Sequence, residues 1–291
     1  MADIATSIFT VIPTAFKRTE LIIQRSLASA CRQTRPMEGI LIVDDNEDPS
    51  EYLRIQQQVE KFKQVSNMKP LPPIYIIRNQ RTKGNSGTGA WNTAFDYLSD
   101  LCKDRLFYMA LLDDDDEWDD AYIEHVSRHI GDRVKAVFPN MVRIHETFRH
   151  EYQLRLKDLT ICNFLRGNPG VQGSNIVVRS DLYAKIGGFD ENLRSTTDRD
   201  FMIRVLECTS LDEIEVIEGI LAFHYALDPC SVTNNAEIKT AGLDQFYKKH
   251  LTKYSLEDLH YSLQRAEKFF NYPNAGDVLT CYEQEIACLS N

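Results

Sequence analysis

Long apolar runs are missing from this chain. The main one, Leu106 to Leu112, falls far short of the ~20 residues needed to cross a bilayer, so no membrane span is expected. Cysteine is sparse and unpatterned. The seven residues (Cys31, Cys102, Cys162, Cys208, Cys230, Cys281 and Cys288) are odd in number and include no CxxC pair. That argues against a disulfide framework or a zinc site and favours a reducing, cytoplasmic setting. Positive charge is in deficit: 33 Lys and Arg against 43 Asp and Glu leave a net charge of −10. Nucleic-acid binding relies on Lys and Arg massed on one face, so no nucleic-acid partner is expected, and an anionic substrate would need a metal or a local basic patch. The opening MADIATSIFT carries Asp3 where a secretion signal wants basic residues, and no targeting segment is expected.

What is present is an ordinary globular composition, 43% hydrophobic and 26% charged, in 291 residues. That length suits one large domain with an appendage. Apolar runs of strand length alternate with stretches of helical period, the pattern of a layered α/β domain with a mostly parallel sheet. Strands are expected at Ile8 to Thr14, Ile40 to Val43, Ile74 to Ile77 and Leu106 to Leu112. A helix over Thr19 to Gln33 follows the first, and Asp48 with Pro49 makes a cap and first turn for the next. Met68 to Pro73, with three prolines, reads as a loop. Further on the pattern predicts a helix near Ala121 to Ile130, strands near Val134 to Ile144 and Asn175 to Arg179, a helix from about Asp198 to Cys208, and a strand ending near His224. From Asn235 the chain is polar with helical period, which divides it into a catalytic domain, 1–234, and a helical extension, 235–291.

The strongest chemical feature is Asp113-Asp114-Asp115-Asp116-Glu117, placed directly after the most apolar strand. Ligands of parallel α/β sheets sit at the carboxyl ends of strands. Adjacent carboxylates there repel one another, and a hard divalent cation with oxygen ligands relieves the repulsion. Asp44-Asp45 ends the second strand at the same edge, one of the two serving either the cleft or the following turn. Lys83 to Gly89 is glycine-rich but has neither P-loop nor GxGxxG order. It precedes a helix whose amides can face an anion, and Arg78, Arg81 and Lys83 add positive charge beside it. His125 and His129 have helical i, i+4 spacing without HExxH and read as a solvated face. Trp118 suits either a sugar-stacking edge or the core.

The ordered set Val11-Ile12-Pro13-Thr14, Ile42-Val43-Asp44-Asp45, Leu111-Leu112-Asp113-Asp114-Asp115-Asp116 and Gly187-Gly188-Phe189-Asp190-Glu191, followed by Thr197-Asp198, resembles the family-2 type of inverting glycosyltransferases over roughly residues 8 to 233. The resemblance implies a GT-A fold, Rossmann-like, with a mixed, mostly parallel sheet flanked by helices. It implies a nucleotide-sugar donor, commonly UDP-linked, with base and ribose held by Pro13, Thr14 and Asp45. It further implies a DxD motif at Asp113 to Asp115, Asp113 and Asp114 touching the nucleotide or metal-bound water and Asp115 binding Mn²⁺ or Mg²⁺. Asp116 leaves the register open by one residue. Asp198 falls at the position of the family's catalytic base, with Thr197 where relatives carry Glu. His224 falls near a metal- or diphosphate-contacting histidine, or else is a strand histidine. Arg81 is a candidate for the nucleotide phosphates, and Gln172-Gly173 lies in the acceptor half. The acceptor class stays open among glycan, lipid-linked, protein and small-molecule hydroxyls. Two other classes fit parts of the pattern: a metal-dependent phosphohydrolase or nucleotidyltransferase, and a non-catalytic nucleotide-sugar-binding module.

Overall fold

The computed structural model describes residues 7–67, 70–83, 86–103, 105–226 and 235–289. Met68 of the expected loop, Gly84 and Asn85 of the glycine-rich stretch, and Cys230 lie outside the described residues. One mixed sheet organises the chain. Its first half is parallel: β3 (Ile74–Arg78), β2 (Gly39–Asp44), β1 (Ser7–Thr14) and β4 (Phe107–Leu111), side by side in that order. The second half runs on through β8 (Val177–Arg179), β6 (Ala136–Ile144), β9 (Ile214–Tyr225) and the short β5 (Glu117–Trp118), with β7 (Arg149–Glu151) paired to β6. β8 is antiparallel to both β4 and β6, whereas β6 and β9 are parallel.

Strand alternation distributes the core over two layers. Along β1, Phe9 and Val11 enter one cluster and Ile8 and Ile12 the other; along β4, Phe107, Met109 and Leu111 alternate with Tyr108, Ala110 and Leu112 in the same way. Both faces are covered, so the strands are apolar throughout. The Ile8 side packs on α2 (Ser26–Cys31), α3 (Pro49–Val65) and α5 (Tyr122–His129) through Leu27, Ile55, Val59, Ile123 and Val126. The Phe9 side packs on α4 (Thr88–Cys102), α7 (Ser180–Ile186) and α8 (Thr197–Cys208). It also packs on the last helices, α9 (Ala236–His250), α10 (Leu256–Phe270) and α11 (Ala275–Leu289). Leu243, Phe246, Leu259 and Leu263 of α9 and α10 belong to the same buried cluster as Phe107 and Phe201. At about 1.5–3 kcal/mol for each fully buried large apolar side chain, these contacts outweigh the polar outer faces of the two helices.

The helix starts follow local chemistry. Asp48 accepts a hydrogen bond from Ser50 N with Pro49 in the first turn, and Asn235 and Ser255 cap α9 and α10 through Ile238 N and Asp258 N. The single helix expected over Thr19 to Gln33 is instead two, α1 (Thr19–Gln24) and α2, broken at Arg25 with φ −118° and ψ −84°. Arg25 turns its guanidinium toward Asp115 O, at 3.0 Å, and over the Tyr225 ring, so the break ties this layer to the acidic segment.

Strand order reverses at β1, which lies between β2 and β4. Such a reversal opens a crevice at the carboxyl ends of the strands. In register, Thr14 lies beside Asp44, Asp45 N bonds to Thr14 O, and Leu112 N bonds to Val11 O, so Pro13, Thr14, Asp45 and the acidic segment emerge at one edge.

Candidate active site

That edge opens into a cavity of about 330 Å³ lined by Pro13, Thr14, Asp45, Asp113, Asp114, Asp115, Asp198 and His224 among others. Eight of the nine residues singled out by sequence therefore meet in one place. The ninth, Arg81, does not line it: its guanidinium bonds to Asp96 at 2.7 and 3.0 Å and to Glu191 at 3.1 Å, a bridge that ties α4 to the loop after α7.

The acidic segment divides sharply. Asp116 turns inward and is fully buried, where Tyr225 N donates to Oδ1 at 3.0 Å, Ser174 Oγ donates to Oδ2, and His224 Nδ1 lies 3.1 Å away. Asp113, Asp114 and Asp115 face the cavity and Asp116 does not. Asp114 is held by Arg18 at 2.8 Å and by Ala15 N at 3.4 Å, and the same guanidinium lies 3.3 Å from Asp115. Asp113 sits against Gly173, where a Cβ would come within 2.6 Å of its carboxylate and push it aside.

Crowding these groups makes ionisation costly. Burial, followed by the neighbouring Asp116, Asp115 and Asp198, holds Asp113 well above the usual carboxylate range. Burial and the same kind of repulsion raise Asp115 to about 7. Asp198, in the first turn of α8, is raised to about 6 by burial, with Lys239 and His224 opposing the shift. Burial disfavours the charged form of His224, but the Asp116 carboxylate outweighs it and lifts the imidazole to about 9. Because Asp116 engages Nδ1, Nε2 is the nitrogen that would lose its proton to accept a metal ion.

Among the described residues, no three His, Cys, Asp or Glu side chains form a ready-made metal cage. The donor chemistry still suits a hard divalent ion. Carboxylates whose affinity for protons is raised by mutual repulsion are relieved by a cation, and Mg²⁺-type sites use one or two carboxylates with substrate phosphates and water completing the shell.

At the other carboxylate pair, Asp44 accepts from Asn46 N at 3.1 Å and from its side chain at 2.8 Å, closing the turn, which leaves Asp45 as the cavity residue. Asn79 Nδ2 fixes Asp45 from behind. Trp118 belongs to the core: it stacks on Tyr122 at 4.0 Å and its indole N–H donates to Ser174 O at 2.7 Å. His129 Nδ1 lies 2.9 Å from His125 O, and neither histidine lines the cavity. Gln172 and Gly173 do line it.

Several cavity residues carry no signal in the linear pattern. Phe16 and Lys17 adopt left-handed backbone conformations, with φ of 56° and 58°, and Lys17 N is held by Asn46 Oδ1 at 2.9 Å. Strain of this kind, ~1–3 kcal/mol per residue, persists only where neighbours enforce it, and here it presents an exposed Phe16 ring at the cavity mouth. Arg143, Lys239, Arg265 and Phe270 also reach the cavity, the last three from α9 and α10. A cationic residue in a polar helical segment looks like surface until long-range packing places it.

Residues 10–187 match the model of glycosyl transferase family 2, and the chain belongs to that family. No curated protein sequence matches it. The fold is similar to that of S. aureus TarS 1–349, with a TM-score of 0.59 at 16% identity over 92% of this chain and 74% of that one. A structure of TarS 1–349 in complex with UDP-GlcNAc aligns with TM-score 0.57 at 14% identity, over 94% and 84% of the two chains. The mannosyltransferase PcManGT from Pyrobaculum calidifontis, in complex with GDP-Man and Mn²⁺, gives 0.55 at 14% identity over 96% and 80%. These likenesses establish the GT-A architecture.

Proposed function

We propose that this glycosyltransferase moves a sugar from a nucleoside-diphosphate donor to an acceptor hydroxyl with inversion at the anomeric carbon. The observation that carries the reading is the convergence of three cavity-facing carboxylates, Asp113 to Asp115, with Asp45 and Asp198 at a strand-order reversal. Two of the solved neighbours carry UDP-GlcNAc or GDP-Man, which supports a donor of this class. Pro13, Thr14 and Asp45 would hold the base and ribose, with Asp113 and Asp114 as the DxD side chains at the ribose end. Arg18 holds Asp114 in place and opposes the burial that raises its carboxyl.

A divalent cation, Mn²⁺ or Mg²⁺, would be held by Asp115 and His224 and would neutralise the charge of the departing diphosphate. Asp116 is a positioning residue: it orients the His224 ring and joins the acidic segment to β9. Asp198 is the base. The acceptor oxygen attacks the anomeric carbon, its proton passes to the Asp198 carboxylate, and the bond to the β-phosphate oxygen breaks with its electron pair leaving on the diphosphate. In-line attack on the opposite face inverts the centre. An environment that raises Asp198 to about 6 makes it a stronger proton acceptor than an ordinary aspartate while leaving it ionised at neutral pH. Residues 1–234 would form the catalytic domain and 235–291 its helical extension.

The test is release of nucleoside diphosphate from a panel of UDP- and GDP-sugars with Mn²⁺, by the wild type and by Asp115→Asn. The reading requires turnover of at least one donor by the wild type and its loss in the variant; absence of turnover across the panel, with no binding of either diphosphate, overturns it.

A further inference from the structure

Past Asp198 the character of the cavity changes from acidic to basic. Four cations line this part: Arg143 of β6, Arg199 of α8, Lys239 of α9 and Arg265 of α10. Arg199 is committed to the protein, donating to Phe164 O at 2.7 Å and to Leu165 O. The other three are not. Arg143 Nε is buried without a hydrogen-bond partner. Among the described residues, Lys239 Nζ and the Arg265 guanidinium make no hydrogen bond or ion pair and lie over aromatic rings, Phe270 at 4.5 Å and Phe269 at 5.0 Å.

Elsewhere in the molecule such groups find carboxylates: Arg18 pairs with Asp114, Arg81 with Asp96 and Arg166 with Asp258. In a chain of net charge −10, three cations gathered with no ion pair among the described residues are a costly arrangement, and each repels the others. Burial and then the neighbouring Arg199 and Arg265 lower Lys239 to about 8. Among the described residues the carboxylate that offsets Lys239 is Asp198, which the proposed chemistry needs as a proton acceptor.

Position ties Lys239 to the base. Ser195 Oγ donates to Lys239 O at 3.4 Å in the turn that leads into Asp198, whereas Arg143 stands beside His224 in the β6–β9 register. Lys239 therefore lies on the side from which the acceptor oxygen must approach, and Arg143 joins that side to His224. We propose that the acceptor is anionic, bearing a phosphate or carboxylate that seats against Arg143, Lys239 and Arg265, so that the C-terminal helices supply acceptor selection. This rests on the glycosyl-transfer reading above.

The test is calorimetric titration of the protein saturated with Mn²⁺ and UDP, or GDP if that is the diphosphate bound. Glucose 6-phosphate and glucuronate are compared with glucose. Failure of both diphosphates to bind removes the glycosyl-transfer reading itself. Given diphosphate binding, either charged sugar is expected to bind at least tenfold more tightly than glucose. That preference should fall to less than threefold in Lys239→Gln and in Arg265→Gln and be restored in Lys239→Arg. Equal affinities, including no measurable heat from any of the three sugars, overturn the inference, as does a preference that survives both neutral variants. Competition between glucose 6-phosphate and the nucleoside diphosphate would assign the cations to the donor's phosphates and also overturn it.

Discussion

Replacing Asp198 by Asn should make the protein more stable and nearly inactive. Burial raises this carboxyl from its ordinary 3.8 to about 6. A folded-state value above the unfolded one means that ionisation opposes folding. The favourable contribution is complete below about 3.8 and is lost as the pH rises through about 6. Two units correspond to roughly 3 kcal/mol of penalty at pH 8, an upper bound because the amide must also be desolvated and forgoes the attraction of Lys239. A net gain of about 1–3 kcal/mol is expected, a rise of several degrees in melting temperature for a chain of this size. Integrated over the titration, about half of the gain should remain at pH 5. Transfer should fall by about 10²–10⁴-fold, the usual contribution of a positioned base. For the wild type, kcat/KM should decline as the pH drops below about 6. Circular dichroism melts at pH 5 and pH 8 beside a transfer assay provide the check. An unchanged or lower melting temperature at pH 8 would refute the electrostatic reasoning, and undiminished transfer would refute the assignment of the base.

Two further substitutions probe the supports of the site. A Cβ at Gly242 of α9 would stand 2.1 Å from Ser195 Oγ and 2.5 Å from Ser195 N, just ahead of Thr196, which is held at φ 61°. Gly242→Ala should therefore cost roughly 1–3 kcal/mol in urea denaturation and lower transfer more than donor binding, because Asp198 rides on the displaced turn. Asp116→Ala should cost about 3–5 kcal/mol by the same measurement, since it strands the charged His224 ring and the Tyr225 N–H that Asp116 now satisfies.

The parts of this molecule that the sequence made legible are those whose chemistry is local. Both-face burial left β1, β2 and β4 as continuous apolar runs, and the acids that follow them mark the strand ends directly. The Asp48-Pro49 start of α3 is likewise written in adjacent residues. What was hidden depends on distant partners. Nothing near Arg25 announces a helix break, because its partners, Asp115 and Tyr225, come far later in the chain. Arg81 looks like a phosphate ligand beside a glycine-rich loop until Asp96 and Glu191 are seen to hold it. The roles of Asp113 and Asp116 differ only because Gly173, Ser174 and Tyr225 pack behind the acidic turn. Lys239 and Arg265 read as the polar face of a helical tail, and only the packing of α9 and α10 against the Phe9 side of the sheet turns them into the cavity.

The most direct measurement is calorimetric titration of UDP and GDP into the protein with Mn²⁺ and again with excess EDTA, for the wild type and for Asp115→Asn. The account predicts that one diphosphate binds with the metal, that affinity drops at least tenfold with the chelator, and that the variant resembles the chelated wild type even with Mn²⁺ present. Equal affinity under all conditions would contradict it, because a cleft this rich in carboxylates would then be accepting a diphosphate without the cation on which the mechanism depends.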